Sequence, residues 1–499
     1  MSALEETVDT PSIQIRTAEP FLTRILGLLS SVRLGVFLLV LLGLACVVGM
    51  LIMQQNVEGF ANYYQTLTPA QRLVYGRLKF FDIYHCWYFN ALLALLSTNI
   101  ILASIDRFPK TWAIAAKPNP TVPLRWLKEQ RGSATVTLSG NRNQVLDRLE
   151  SELKASGWRK IVKTVKDERV FLFSEKGRWN RFGAYAVHVG LLTIFLGGFL
   201  TAQLGSTGQL PLAPGKSTDR MSETVVDLDR VNEVTMKLPF EVSFDDIEQK
   251  LIKKDGPILA SNTIDWITRF TIKDDTGEHK ATAQMNHPFD YRGYRFFQAS
   301  FMPIGRARNI TVRLTNGSGE NQDVVIPRNG TAALADGTKI DFAEFRGNFR
   351  IGPEDTNEDT SAYPNPAAVL RVTPPNAAPQ AAYAFGPQMA SMPVAKKPVA
   401  GYTFQLVDFE KVSDQHILSV QRDPGSNVVY VGFVLLFITL VGVFFFSHQR
   451  VWIVVDANSD NTCDVNLGGS TNRNWNSFED KLGRLVNRLT NDLLEEKAK

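Results

Sequence analysis

The sequence predicts a membrane protein with four transmembrane α-helices, a large all-β, sandwich-like extracytoplasmic domain and a small cytoplasmic α/β module. Three observations predict this fold class. Four stretches of 19 or 20 residues contain no charged side chain, a segment of 225 residues is rich in strand patterns, and basic residues are concentrated in one connecting segment. With 499 residues, the chain is long enough for two or three domains.

The four uncharged stretches are predicted to cross the bilayer as helices. Twenty residues at about 1.5 Å rise per residue span about 30 Å, the thickness of the hydrocarbon core. The first stretch lacks the short apolar region and small-residue cleavage site of a signal peptide, so we expect it to remain as an anchor. The predicted spans are residues 34–53, 86–105, 183–202 and 428–446.

Basic residues predict the orientation of these spans. Residues 107–181 carry 17 Lys and Arg against 7 Asp and Glu, whereas the loop between the first two spans has only three basic residues. Loops rich in Lys and Arg stay in the cytoplasm. The N-terminus, with Arg16, Arg24 and Arg33, is expected on the same side. Four spans then place the C-terminal tail in the cytoplasm and the large domain outside it.

The predicted soluble parts differ in their patterns. Residues 106–182 combine strand-like alternation with a helical pattern in residues 143–156, and residues 203–427 contain many short strand patterns separated by turns. Residues 373–400 are rich in Pro and Ala and are expected to be irregular or disordered. The remaining predicted parts are the cytoplasmic N-terminus 1–33, the outer loop 54–85 and the cytoplasmic tail 447–499.

The tail ends in a predicted amphipathic helix. Its apolar residues fall on one helical face among charged residues, which fits a helix on the membrane surface or one that binds a partner helix. The pattern does not choose between these two. The apolar residues are Phe478, Leu482, Leu485, Leu489 and Leu493.

Several classes of chemistry lack their motifs in this sequence. The three cysteines, Cys46, Cys86 and Cys463, form no C-x-x-C and no C-x-x-C-H, so neither a thioredoxin-like site nor covalent c-type haem attachment is encoded. A formal net charge of +4 is too small to indicate nucleic-acid binding. No nucleophile–base pair or phosphate loop is recognisable, so we expect no catalytic activity from the chain alone.

His188 is the one histidine within a predicted span. An ionisable group at that depth is costly and is by default a functional hypothesis. Small residues on the same helix form a stripe suited to close helix contact, and His188 lies about 200° around the helix from Gly190, away from that contact. The alternative is an imidazole hydrogen-bonded to a neighbouring helix, for instance to Ser97 or Thr98. The stripe consists of Gly183, Ala186, Gly190, Gly197 and Thr201.

Three local motifs resemble those of the ResB family of System II cytochrome c biogenesis. Residues Gly293–Phe301 read GYRFFQASF and resemble the family's aromatic segment in the outer domain. Residues Val420–Gly425 read VQRDPG and resemble its entry to the last span, and Phe446–Trp452 read FSHQRVW and resemble its exit. The order of three spans, a large outer domain and a fourth span is also similar, so the resemblance covers most of the chain. The Pro/Ala-rich stretch and the tail after Asn458 are not supported by it.

The resemblance implies a subunit of the bacterial inner membrane, with its large domain in the periplasm, that binds haem b transiently as cargo, carries it across the membrane and delivers it to apocytochrome c. The implied partner is a ResC-type synthase subunit, which carries the tryptophan-rich motif that this sequence lacks. His188 is then a candidate axial ligand of the haem iron. Leu192, Phe195 and Phe199 follow on its helical face as possible porphyrin contacts. We expect no other metal site.

The other histidines are weaker candidates. His85 and His448 border the second and fourth spans and are further candidate haem contacts, although an interfacial role is favoured for His85 and is sufficient to explain His448. His279, His287 and His416 show no metal-ligand spacing and are expected on the surface or in turns.

Two other functions remain open on the sequence. One is a non-haem scaffold that presents apocytochrome to the synthase, with the same fold and a His188 that binds no iron. The other is a membrane-anchored sensor, for which the inner segment offers no recognisable output domain.

Overall fold

The computed structural model describes residues 20–57, 59–350, 360–458 and 460–497. Arg16 therefore lies outside the described residues. Ten α-helices are found in the described part of the chain: α1 Phe21–Leu29, α2 Val32–Leu51, α3 Phe60–Thr66, α4 Pro69–Arg77, α5 Trp87–Ala116, α6 Leu124–Lys128, α7 Arg142–Ala155, α8 Gly183–Leu204, α9 Ser426–Phe445 and α10 Trp475–Lys497.

Four of these helices are long and apolar enough to cross a bilayer, which confirms the predicted number of spans. They are α2, α5, α8 and α9. Helix α8 is preceded by a 3-10 turn, Arg178–Phe182, and α5 continues 11 residues past the predicted end at residue 105. Charged residues such as Asp106 end an apolar stretch without ending a helix, so hydropathy alone marks the end of the apolar stretch and not the end of the helix.

The chain forms two compact units, of which one contains α5, α8, α9 and a five-stranded antiparallel sheet. The strands of this sheet are β1 Ala134–Ser139, β2 Ile161–Lys166, β3 Arg169–Lys176, β19 Gln449–Ala457 and β20 Thr462–Thr471. They lie in the order β1-β20-β19-β3-β2. The two strands that follow the fourth span are therefore inserted among strands that precede the third span, and one α/β module is built from both parts of the chain.

Helix α10 packs its apolar face on this sheet. Phe478, Leu482, Leu485 and Leu489 are each at most 1% exposed and join the core formed by α7 and the five strands. This face is thus covered within the chain, and neither the membrane surface nor a partner helix is needed to bury it. The side chain of Leu493 lies outside those that the structure describes.

The second unit contains the large all-β region, which confirms the predicted class of residues 203–427. It has an eight-stranded and a seven-stranded sheet. The strands of the first are β4 Ser206–Leu212, β5 Ser217–Asp227, β6 Arg230–Leu251, β7 Thr263–Asp274, β8 Gly277–Ala283, β9 Phe289–Tyr291, β10 Tyr294–Met302 and β18 Gln415–Arg422. The strands of the second are β11 Arg306–Thr315, β12 Asn321–Pro327, β13 Thr331–Ala333, β14 Lys339–Arg346, β15 Ala367–Thr373, β16 Gln380–Phe385 and β17 Thr403–Val412. The strand order is β8-β7-β6-β5-β4-β18-β10-β9 in the first sheet and β12-β11-β17-β16-β15-β14-β13 in the second.

Each of these sheets has its own hydrophobic core, and an ionic cluster joins the two. The edge strands β12 and β13 are in contact, as are β8 and β9, so both sheets curl around their cores. Arg308 on β11 reaches Asp246 on β6 at 2.8 Å and Glu410 on β17 at 2.9 Å. Hydrogen bonds to these carboxylates raise the pKa of the Arg308 guanidinium. The cluster therefore holds a strand of one sheet against strands of the other.

The prediction that residues 373–400 are irregular or disordered is wrong for part of this range. Strand β16 pairs with β15, and its Ala382, Ala384 and Phe385 are almost fully buried. Small alanine side chains fit the close space inside a curled sheet, whereas a reading based on composition takes Ala and Pro as signs of disorder.

The loop between the first two spans folds onto the β5–β6 hairpin of the same unit. The Tyr64 hydroxyl donates to the Asp229 carbonyl at 2.6 Å, and the Val226 backbone N–H donates to the Gln55 side chain at 2.9 Å. The rings of Phe60 and Phe81 pack beneath at 5.3 Å. This loop and the β region are separated in sequence by two spans, so their association fits a chain that alternates sides of the membrane.

We expect Leu485→Ala to weaken the α/β module by about 2–5 kcal/mol, because it empties a fully buried site between α10 and the sheet. Hydrogen exchange of the β20 amides in the detergent-solubilised protein measures the local opening. Asn487→Ala, on the exposed face of the same helix, is the matched control and should leave exchange unchanged. Equal exchange in both variants would show that α10 does not hold the sheet.

Candidate functional site

His188 lies on the face of α8 that meets α5. Its Nδ1 is 2.8 Å from the Ser104 hydroxyl oxygen on α5. The same hydroxyl lies 2.6 Å from the carbonyl oxygen of Ile100, one turn earlier on α5. His188 Nε2 has no hydrogen-bond partner among the residues that the structure describes. The hydrogen bond to the second span that the sequence offered as an alternative is therefore present, with Ser104 in place of Ser97 or Thr98.

The opposite face of α8 is the predicted contact face. Gly183, Gly190 and Gly197 are buried, and side chains or backbone of α9 fill the space where a Cβ would stand. At Gly197, an added Cβ would lie 2.6 Å from Val429 Cγ2 and 2.9 Å from the carbonyl oxygen of Gly425. The prediction that His188 points away from the glycine contact is confirmed.

The three predicted porphyrin contacts do not form one open surface. Phe195 packs against the cluster of Leu38, Leu42 and Leu96 between α2 and α5. Leu192 is half-buried, and Phe199 is 45% exposed. Within this chain Phe195 thus belongs to the helix-bundle core, while Leu192 and Phe199 keep surface available for a ligand. Their role as porphyrin contacts stays a prediction.

An aromatic cluster that the sequence did not single out lies one turn before His188. Tyr185 donates to, or accepts from, the Thr111 hydroxyl at 2.9 Å and packs edge-on against Phe108 at 5.5 Å. Trp112 stacks on Phe108 and remains 50% exposed. The signal available in the sequence was the spacing of four between Phe108 and Trp112, which places both rings on one face of a helix.

His448 lies in a buried polar network next to the α/β module. The Arg181 Nε–H donates to His448 Nδ1 at 3.0 Å, and because a guanidinium cannot accept, the ring proton lies on Nε2 and is donated to Glu175 at 3.0 Å. Burial lowers the pKa of His448, although the hydrogen bond to Glu175 opposes this effect. Both ring nitrogens are thus engaged, and neither offers a lone pair to iron in this arrangement.

The remaining histidines are spread over both units. His85 is exposed at the start of the second span, and its carbonyl accepts from the Asn90 side chain at 3.3 Å. His279 and His287 lie in or beside turns of the β region. The prediction that His416 lies on the surface or in a turn is wrong, because it shares the inward face of β18 with Leu418 and is 0% exposed.

His416 is held as a neutral imidazole in the core. Its Nδ1 lies 2.8 Å from the Thr268 hydroxyl, which also donates to the Gln298 side chain at 2.9 Å. Burial lowers the pKa of His416 to about 3. Among the described residues, no group of three or more His, Cys, Asp or Glu side chains is placed to hold a metal ion.

His188 is the one histidine of the described chain that lies within a membrane span, and its Nε2 has no hydrogen-bond partner there.

The sequence model of the ResB-like family matches residues 32–483, which is most of the chain. The chain belongs to the ResB-like family. Among the relatives of this ResB-like protein, cytochrome c biogenesis protein CcsB of Synechococcus sp. (strain WH7803) is 26% identical over 487 residues, covering 94% of this chain and 98% of the relative. CcsB of Prochlorococcus marinus (strain MIT 9313) is 27% identical over 93% and 97% of the two chains. Cytochrome c biogenesis protein ResB of Bacillus subtilis (strain 168) is 20% identical over 91% and 84%.

The segments that carried the resemblance form defined parts of this ResB-like structure. Gly293–Phe301 forms most of β10 in the β region. Val420–Gly425 ends at the glycine that packs against Gly197 of α8. Phe446–Trp452 contains His448 and ends at a buried tryptophan whose indole N–H donates to the Asn119 carbonyl at 3.0 Å. Both segments that flank the last span therefore fix it to neighbouring structure.

Gly197→Ala should loosen the contact between α8 and α9, because its methyl group overlaps Val429 and the Gly425 carbonyl. Overpacking of this kind costs about 1–3 kcal/mol, which we expect as a lower thermal midpoint of the solubilised protein. Gly198→Ala is the matched control, since nothing lies within 4 Å of the added methyl. Equal midpoints for the two variants would contradict the close contact.

The stability of the β region should fall as the pH decreases below about 6.5. Between that value and about 3, the unfolded chain binds a proton at His416 that the folded chain does not, at about 1.4 kcal/mol per pH unit. Going from pH 7 to pH 5, we expect a loss of about 2 kcal/mol from this group, measured by urea-dependent proteolysis of the solubilised protein. His416→Gln should remove this slope, and His287→Gln, at an exposed turn, should keep it. A slope unchanged in His416→Gln would contradict the assignment.

Proposed function

We propose that this chain is a subunit of the System II cytochrome c biogenesis complex that binds haem within the membrane, carries it across and delivers it for covalent attachment to apocytochrome c. Membership of the ResB-like family and relatives named cytochrome c biogenesis proteins support the role in cytochrome c biogenesis. The step that concerns haem rests on His188. We propose that the chain acts as an accessory subunit and not as a catalyst alone.

The observation that carries the haem proposal is an imidazole in a membrane span with one nitrogen left without a partner in the described chain. A buried polar group without a hydrogen bond is costly in hydrocarbon. Coordination of iron by a neutral imidazole nitrogen offsets that cost, and histidine is a common axial ligand of haem. The proposed ligand atom is Nε2 of His188, since Nδ1 is engaged by Ser104.

The residues near His188 fit a porphyrin with two carboxylates. Leu192 and Phe199 keep apolar surface on the outer side, and Phe108 with Trp112 provides aromatic surface on the inner side. Arg107, three residues after Ser104 on α5, is exposed and supplies a positive charge at the end of the span where haem carboxylates are expected. No second histidine of the described chain is placed beside His188, so we propose that a ResC-type subunit completes the iron coordination.

The proposed orientation places haem entry on the cytoplasmic side. The excess of Lys and Arg in residues 107–181 supports a cytoplasmic α/β module and a periplasmic β region in a bacterial inner membrane. Because α8 then runs from inside to outside, His188 lies in the inner half of the bilayer. The β region is proposed to lie on the side where apocytochrome c receives haem.

The chain purified with its ResC-type partner should show a haem Soret band, and His188→Ala should lose it because the proposed axial nitrogen is gone. Added imidazole should restore the band in His188→Ala by occupying the vacated position. The absorption spectrum at equal protein concentration measures both effects. His287→Ala, at an exposed turn of the β region, serves as the control and should keep the band.

Two results would count against this proposal. A complex that stays colourless after haem is supplied would favour the non-haem scaffold, in which the β region presents apocytochrome and His188 binds no iron. A His188→Ala complex with an unchanged Soret band would place haem elsewhere.

A further inference from the structure

We propose that Ser104 is a positioning residue that fixes the tautomer of His188, with the proton on Nδ1 and the lone pair on Nε2. The inference rests on the proposed function only for its consequence, which is that Nε2 is ready to bind iron before haem arrives. The tautomer itself is a property of the haem-free chain and is tested there first.

The proposal follows from counting protons at one hydroxyl. Ser104 has a single hydroxyl proton and two close partners, the Ile100 carbonyl oxygen at 2.6 Å and His188 Nδ1 at 2.8 Å. A carbonyl oxygen only accepts hydrogen bonds, whereas a neutral imidazole nitrogen accepts or donates depending on the tautomer. Both contacts are hydrogen bonds only when the hydroxyl donates to Ile100 and Nδ1–H donates to the hydroxyl. The neutral ring then has no proton on Nε2.

The surroundings favour the same arrangement. If Ser104 donated to Nδ1 instead, the contact with Ile100 would lose its proton and Nε2–H would have no acceptor among the described residues. Each loss is costly in a span, where water does not replace the missing partner. An unprotonated Nε2 without a partner also costs free energy, but it is the form that coordinates a metal.

Other hydroxyls of the spans show what is particular to Ser104. Ser97 donates to Leu93 at 2.7 Å, Thr98 to Ala94 at 2.8 Å, and Thr193 to Val189 at 2.8 Å. Each makes this local bond to the preceding turn, as hydroxyls in helices commonly do, and in the described chain none of the three has a second hydrogen bond. Ser104 alone among these four also faces an imidazole. The local bond fixes the direction of its proton, and the free lone pair receives Nδ1–H.

The consequence for haem binding is a ligand whose orientation is set beforehand. Metal-binding histidines generally donate their other N–H to a nearby acceptor, which fixes the ring and makes the ligating nitrogen more basic, and loss of that acceptor lowers metal affinity by about 10–100-fold. A serine hydroxyl is a weaker acceptor than a carboxylate, so we expect about 10-fold for Ser104.

The first test measures the tautomer without haem. Solid-state NMR of the full-length chain with ¹⁵N-labelled histidine in bilayers distinguishes Nδ1–H from Nε2–H, and subtraction of a His188→Gln spectrum isolates the His188 signals. We expect Nδ1–H in the native chain and in Ser104→Thr, which keeps the hydroxyl, and conversion to mainly Nε2–H in Ser104→Ala. Ser97→Ala is the matched control, since it removes the same kind of local bond from the same helix and should leave Nδ1–H in place.

The second test measures the consequence with haem bound, in the complex with the partner. Ser104→Ala should retain haem about 10-fold less tightly and raise the midpoint potential of the bound haem, because an imidazole without its hydrogen-bond acceptor is a weaker donor to iron, while Ser104→Thr and Ser97→Ala match the native protein. A His188 that carries its proton on Nε2 in the native chain, or on Nδ1 in Ser104→Ala, would overturn the proposal whatever happens with haem. If the tautomer result holds and the native complex binds no haem at His188, the proposed function fails while the role of Ser104 in setting the tautomer stands.

Discussion

The constraint on which this structure depends is that polar groups within the hydrocarbon core must find partners inside the protein. Helix α8 meets this constraint with two different faces. One face is lined by glycines and packs closely on α9, and the other presents His188 to Ser104 of α5. The glycine contact sets the rotation of α8, so the direction of the imidazole is a consequence of where the small residues lie.

The α/β module fixes the ends of the same two helices. Arg181, just before α8, donates to His448, just after α9, and His448 in turn donates to Glu175 of β3. Because β19 follows His448 directly and pairs with β3, the last span is tied to the preceding one through a buried polar network and a β-sheet. The spacing of α8 and α9 is thus determined at the end of the helices as well as along the glycine stripe.

Those features that depend on local pattern were predictable from the sequence, and those that depend on partners far along the chain were not. The four spans and the glycine face follow from runs of apolar and small residues. The destination of α10 did not follow, because an amphipathic face is the same whether a membrane, a partner or a distant sheet covers it. The prediction for His416 was wrong because its burial also depends on distant parts of the chain. Strand β16 was missed because its composition, rich in Ala, was taken as a sign of disorder. At the candidate site, the sequence identified His188 and the second span as its neighbour, but the choice of Ser104 over Ser97 or Thr98 depends on the relative height of two helices.

A hydrogen-bonded histidine and a haem-binding histidine were posed as alternatives on the sequence, and the geometry removes that opposition. An imidazole has two nitrogens, and Ser104 accounts for one of them. His448 uses both of its nitrogens, with Arg181 and Glu175, whereas the buried His416 of the β region, like His188, leaves Nε2 without a hydrogen bond among the described residues. An unpartnered nitrogen is therefore not by itself the mark of a ligand site. What distinguishes His188 is its place: it is only partly buried in a membrane span, where a ligand from outside the chain can approach, whereas His416 is 0% exposed inside a β-sheet core.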